Sequence, residues 1–210
     1  MCLKAVLTAT AVVCSLSLSG AEPPKNSALF RKAFVENFQR IGLNTTPGDA
    51  MMLRILVESA GCKRGIEVGV ASGFGAVNMG IAFERTGGKL FSLEIDPKFV
   101  KQARENLEKV GLEKTVTVVE GDALKTLTTL SGEFDFIFID AVKSDYLKYL
   151  KLIEPKLKRG AVVVADNVIK SERAMKDYLA YVQTSPDYDT VTIQASPEKG
   201  DGMTVSYKLR

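Results

Sequence analysis

Gly65-Ile66-Glu67-Val68-Gly69-Val70-Ala71-Ser72-Gly73-Phe74-Gly75 is a short β-branched run that enters a turn of small residues and continues into a helical pattern. Small residues there let the backbone bend tightly and come close to a ligand. The spacing, Gly-x-x-x-Gly-x-Gly, differs from the Gly-x-Gly-x-x-Gly of dinucleotide binders, where a helix N-terminus faces a pyrophosphate. Taken alone, glycines in such a turn also serve close helix packing.

Outward from this turn the chain alternates. Upstream lie two helical patterns, Ser27 to Ile41 and Gly48 to Ala60, the second with Met51, Met52, Leu53, Ile55 and Leu56 on a broad apolar face. Downstream, Leu90 to Ile95, Val116 to Val119, Phe134 to Ile139 and Ala161 to Ala165 read as strands separated by helical stretches. That repetition predicts a parallel sheet covered on both faces. Tyr188 to Gln194 and Met203 to Leu209 are strand-like with only a loop between them, so they should pair antiparallel. The expected fold is α/β: a Rossmann-like, open, mainly parallel seven-stranded sheet with helices on both faces and an antiparallel last strand. In such sheets ligands gather outside the carboxyl ends of the strands.

Composition narrows the chemistry. The 210 residues are 46% hydrophobic and carry a formal charge of +3, too small and too evenly spread for a nucleic-acid footprint. The chain contains no histidine, which removes zinc sites, Ser-His-Asp triads and imidazole bases, and leaves oxygen to hold any metal. Residues 1–21 read as a signal peptide. Lys4 precedes a largely apolar run from Ala5 to Leu18, and Ser19-Gly20-Ala21 offers a cleavage site before Glu22. The run is too short and too rich in Ser and Thr for a stable membrane span. The expectation is an exported protein with one domain over 22–210; a frayed N-terminus on a cytoplasmic protein is the alternative. Cleavage takes away Lys4 alone and leaves 27 basic against 25 acidic side chains.

Three polar positions close apolar strands. Asp140 follows Phe136-Ile137-Phe138-Ile139, and Asp166-Asn167 follows Val162-Val163-Val164-Ala165. Consecutive strand residues point to opposite faces, so Asp166 and Asn167 can share one ion only if the chain leaves the strand between them. Two carboxylates and one amide suit Mg²⁺, or Mn²⁺ or Ca²⁺, with places left for water or substrate oxygens. Capping by each Asp and a turn at Asn167 is the structural alternative. Lys143 reaches the same side if the chain turns helically after Ala141. Beside a metal ion, like charge would push its pKa down into the range of a general base. Earlier, Glu94 ends the second strand where a carboxylate can accept both hydroxyls of a ribose, and Asp96 suits a cap before Pro97. Gly121-Asp122-Ala123 closes the third strand, at the place for an adenine or for an N-cap.

Together these segments resemble the metal-dependent O-methyltransferases related to caffeoyl-CoA O-methyltransferase and catechol O-methyltransferase, over nearly all of Ser27 to Arg210. Pro47-Gly48-Asp49-Ala50 is similar to the helix at that family's site entrance. Residues 67–75 are similar to its first cofactor motif, and Ile139-Asp140-Ala141-Val142-Lys143-Ser144-Asp145-Tyr146 and Ala165-Asp166-Asn167-Val168 to its metal and catalytic motifs. Gly200-Asp201-Gly202-Met203-Thr204 resembles the turn before its last strand. The resemblance implies that Glu67, Gly69, Ser72, Gly73, Gly75, Glu94, Asp122, Ala123 and Asp140 bind S-adenosylmethionine. It implies that Asp140, Asp166 and Asn167 hold the metal, and that Lys143 is the base, working with Asp140. It also implies a phenolic small-molecule acceptor and a homodimer. Ala195 stands where catechol-specific relatives carry a glutamate, and with no tryptophan any aromatic wall must come from Phe or Tyr.

Three rivals remain in view. An NAD-dependent oxidoreductase on a similar sheet is disfavoured by the glycine spacing and by the Asp140, Asp166 and Asn167 cluster. A non-catalytic exported binding protein fits Ala195 but not the intact base and metal positions. For a nucleic-acid methyltransferase, Asp140-Ala141-Val142-Lys143 replaces the Pro-Pro-aromatic signature of amino-group methylation.

Overall fold

The computed structural model describes residues 23–210; the expected signal peptide, 1–21, lies outside them. Seven strands form one sheet: β1 Arg64–Val68, β2 Lys89–Glu94, β3 Val116–Glu120, β4 Phe134–Ile139, β5 Leu157–Ala165, β6 Tyr188–Ile193 and β7 Met203–Lys208. Their order is β3-β2-β1-β4-β5-β7-β6. The first five are mutually parallel, while β7 runs antiparallel between β5 and β6. The order reverses between β1 and β4, which opens a crevice at their carboxyl ends.

Strand alternation divides the core. Phe136 and Phe138 point to the face covered by α2 (Pro47–Ser59), α3 (Phe74–Thr86) and α4 (Pro97–Lys109). Ile137 and Ile139 point to the face covered by α5 (Ala123–Thr129), α6 (Tyr146–Ile153) and α7 (Lys176–Thr184). A register shift between Phe134 and Phe136 lets Phe134 join the second face with Ile137. Among the described residues no helix is long and apolar enough to cross a membrane.

The first helix is shorter than its sequence predicts. α1 spans Ala28–Glu36 rather than reaching Ile41. The Asn37 side chain donates to the Ala33 carbonyl (2.8 Å), competing with helical continuation. Phe38 turns inward onto Phe74, with ring centroids 5.1 Å apart. The chain from Asn37 to Thr46 is thereby freed to run across the crevice mouth, and Thr46 then caps α2.

Candidate active site

The glycine-rich turn after β1 has the conformation its composition suggested. Gly69 and Gly73 adopt φ of 92° and 94°, where an L side chain is strained. A Cβ on Gly69 would also overlap the Asp140 carbonyl, and one on Gly73 would press on Ala103 of α4. Ala71 holds φ 48° without being glycine. The Glu94 carboxylate braces that turn: Oε2 accepts from the backbone N–H of Val70 (3.1 Å) and Ala71 (2.8 Å). Oε1 accepts from Ile95 (2.9 Å) and Asp96 (3.0 Å). Asp96 caps α4 through Lys98 N–H, as its place before Pro97 implied.

These residues open onto a cavity of about 730 Å³ walled by Gly69, Ala71, Glu94, Asp140, Lys143, Asp166, Asn167 and the Arg40–Asn44 loop. Phe99 supplies an aromatic ring to the wall. A smaller recess of about 250 Å³, lined by Asp122 and Ala123, shares Gly69, Glu94 and Ala141 with it. Asp122 also caps α5 by accepting from Leu124 N–H (2.9 Å).

Four of the expected cofactor residues lie behind the turn instead of on the cavity wall. Glu67 points toward α3, because its neighbours Ile66 and Val68 take the opposite face of β1. It is 1% exposed and accepts from Ser92 Oγ (2.6 Å). Burial first, then the Asp140 and Glu94 carboxylates, push its pKa up to about 8 against the Ser92 hydrogen bond. Gly75 leaves room for that carboxyl, since a Cβ there would come within 2.7 Å of Glu67 Oε1. Ser72 donates to Asn44 Oδ1 (2.7 Å) and fastens the mouth loop to the turn, and Gly73 packs on α4.

At the ends of β4 and β5 the three predicted oxygen donors meet. β5 ends at Ala165, and Asn167 takes φ 62°, so the chain does leave the strand where shared ligation requires it. Lys143, in a turn of 3₁₀-helix, donates to Asp140 Oδ1 (2.7 Å), Asn167 Oδ1 (2.6 Å) and the Tyr146 hydroxyl (2.8 Å). Tyr146 donates onward to the Asp166 carbonyl (3.2 Å), and burial holds its pKa well above the usual phenol value. Asp166 is 1% exposed; burial and the neighbouring Asp140 raise its pKa to about 6 against the pull of Lys199. The Asp140 carboxylate raises the cost of charging Asp166, and with the Asn167 amide oxygen the two form an oxygen-only donor set that could hold a dication.

Four side chains that sequence reading did not single out complete the arrangement. Asp201 accepts from the N–H groups of Ile169 and Lys170 (3.0 Å each) and Gly202 (2.9 Å). It also accepts from the Asn167 side-chain amide (3.3 Å), which turns Asn167 Oδ1 toward Lys143. Burial alone would raise the Asp201 pKa, but those donors hold it below the usual carboxylate range. Lys199 donates to both Asp166 oxygens (2.7 and 2.6 Å) and to Asp49 Oδ2 (3.0 Å). Tyr146 links Lys143 to the β5 end. The Asp-Gly pair before β7 was the one local signal that pointed to this loop.

The chain and its fold have counterparts among known proteins. A family model described as O-methyltransferase matches residues 20–184. The catechol O-methyltransferase of Mycobacterium tuberculosis is 32% identical over 203 residues, covering 90% of each chain. A crystal structure of a cofactor-bound protein from MTB superposes with a TM-score of 0.76 at 29% identity, covering 91% of this chain and 92% of that one. The O-methyltransferase from Bacillus cereus in complex with SAH gives 0.75, covering 85% and 88%, and at 23% identity shows the shared fold.

Proposed function

The chain belongs to the family of S-adenosylmethionine-dependent O-methyltransferases, and we propose that its acceptor is a catechol-like or other phenolic small molecule presented on a divalent metal ion. The observation that carries this reading is that Asp140 and Asn167 converge on Lys143, with Asp166 beside them on Lys199, on the wall of a cavity that also holds Gly69 and Glu94. The catechol O-methyltransferase relative supports the acceptor class.

Asp140, Asp166 and Asn167 would hold the ion, and Gly69, Asp122 and Ala123 would hold the cofactor's ribose and adenine, with Glu94, whose oxygens are filled by four backbone N–H groups, bracing the turn that faces the ribose. When bound, such an ion would supply Lewis acidity that favours the ionised form of an acceptor hydroxyl, and the cofactor would supply the methyl group, leaving as its sulfide. Lys143 would take up the proton released by the acceptor hydroxyl, and Tyr146 fixes the Lys143 nitrogen from the far side. The mouth loop, fastened by Ser72 to the glycine-rich turn, limits water and sets the acceptor's approach. Held in line, the reacting atoms gain on the order of 7–11 kcal/mol from orientation alone.

A screen of labelled methyl transfer to catechols, caffeoyl esters and flavonoids tests this. Transfer to vicinal phenols is expected; a protein that binds the cofactor but labels no phenol with any added metal would overturn the acceptor assignment.

A further inference from the structure

Lys199 lies 33 residues from Asp166 in sequence and reaches it across the loop joining β6 to β7. An ammonium has three donors, and here all three meet carboxylate oxygens: two on Asp166 and one on Asp49. The loop that carries it is tied to the α2 N-terminus. Ser196 Oγ accepts from Asp49 N–H (3.0 Å) and pairs with Thr46 Oγ. Gly48 has no Cβ, which would overlap the Ala195 carbonyl. Lys199 therefore cannot drift away with its loop; what it can do is shift weight between two carboxylates.

Asp166 has little capacity left. Its Oδ1 accepts from Lys199 and from Asn167 N–H (2.7 Å), while Oδ2 accepts from Lys199 alone. A carboxylate oxygen accepts about two hydrogen bonds. An incoming cation thus finds one open lone-pair site on Asp166, beside a positive charge already seated there. Lys143 stands likewise on Asp140 and Asn167, so both carboxylates of the set are balanced before any ion arrives.

We propose that Lys199 is a positioning residue that acts as the resident counter-cation of Asp166, competing with the divalent metal and holding its affinity down, with Asp49 keeping the ammonium when the metal takes Asp166. This rests on the metal reading of Asp140, Asp166 and Asn167. The competition is specific to a charge at this one position. A merely structural Lys199 would leave metal affinity unchanged once folding is accounted for.

Calorimetric titration of Mn²⁺ into the purified protein, without acceptor or turnover, reads the effect directly. Lys199→Gln should bind Mn²⁺ roughly tenfold tighter or better, through loss of a like charge at hydrogen-bond range, while Lys199→Arg should stay close to the native affinity. Equal or weaker binding by a folded Lys199→Gln protein overturns the proposal. If that variant fails to fold, Asp49→Asn decides: with its second holder gone, Lys199 clings to Asp166, and Mn²⁺ affinity should fall several-fold. An Asp49→Asn protein that binds Mn²⁺ as well as the native one also overturns it. No Mn²⁺ heat in any variant, with S-adenosylmethionine still bound, removes the metal reading and this proposal together. Equal affinities in native and Lys199→Gln proteins remove the role of Lys199 alone.

Discussion

Replacing Glu67 by Gln exchanges an ionisable group for a neutral one of the same shape at a position 1% exposed. The folded protein holds the Glu67 proton up to about pH 8, whereas the ordinary value is 4.5. Between those two values the folded state binds a proton that the unfolded chain has released. By linkage, the stability that the neutral carboxyl provides is fully present below about pH 4.5 and is lost as pH rises through 8. At about 1.36 kcal/mol per pH unit the whole span amounts to roughly 4–5 kcal/mol. The amide of the Glu67→Gln protein keeps an acceptor for Ser92 Oγ and never ionises. The two proteins should therefore melt at similar temperatures near pH 5, with the native one falling behind as pH rises and the gap levelling off above pH 8. At about 2–4 °C per kcal/mol for a chain of this length, the gap should widen by on the order of 10 °C. Paired melting curves from pH 5 to 9 measure it, because every other titrating group is common to both chains. A gap that stays constant, or that widens in favour of the native protein toward high pH, would refute the buried neutral carboxyl.

Other variants probe the cavity wall. Glu94→Ala should weaken S-adenosylmethionine roughly tenfold or more by calorimetry. It should also lower the melting temperature, because four backbone N–H groups lose a charged acceptor. Asp201→Ala leaves three backbone N–H groups and the Asn167 amide without their acceptor, so denaturant unfolding should show a loss of about 3 kcal/mol or more. Lys143→Ala should lower kcat about 10²–10⁴-fold with cofactor affinity unchanged, as read by steady-state kinetics beside calorimetry.

The central strands were legible because β4 and the carboxyl half of β5 are nearly continuous apolar runs, and three strands lead into a residue that apolar packing cannot use: β2 ends on Glu94, while Asp140 and Asp166 directly follow β4 and β5. The need for a turn between Asp166 and Asn167 followed from strand alternation, and the positive φ of Asn167 supplies it. The same alternation sends Glu67 beneath α3, although the family resemblance implied a cofactor contact. α1 stopped short because a side-chain hydrogen bond from Asn37 and the packing of Phe38 on Phe74 outweighed the helical pattern. Lys199 and Asp49 meet through the β6–β7 loop and the α2 N-terminus, 150 residues apart in sequence. No local pattern carries such a pairing. Tyr146 and Asp201 lay inside recognised segments, but their roles come from the partners that the folded chain brings to them.

Metal dependence of methyl transfer tests the account most directly. With labelled S-adenosylmethionine and a catechol acceptor, an excess of chelator should abolish transfer while calorimetry still shows the cofactor bound, and Mg²⁺ or Mn²⁺ should restore it. Asp166→Ala should match the chelated enzyme and resist rescue. Full transfer in excess chelator, or in the Asp166→Ala protein, would contradict a metal held by Asp140, Asp166 and Asn167.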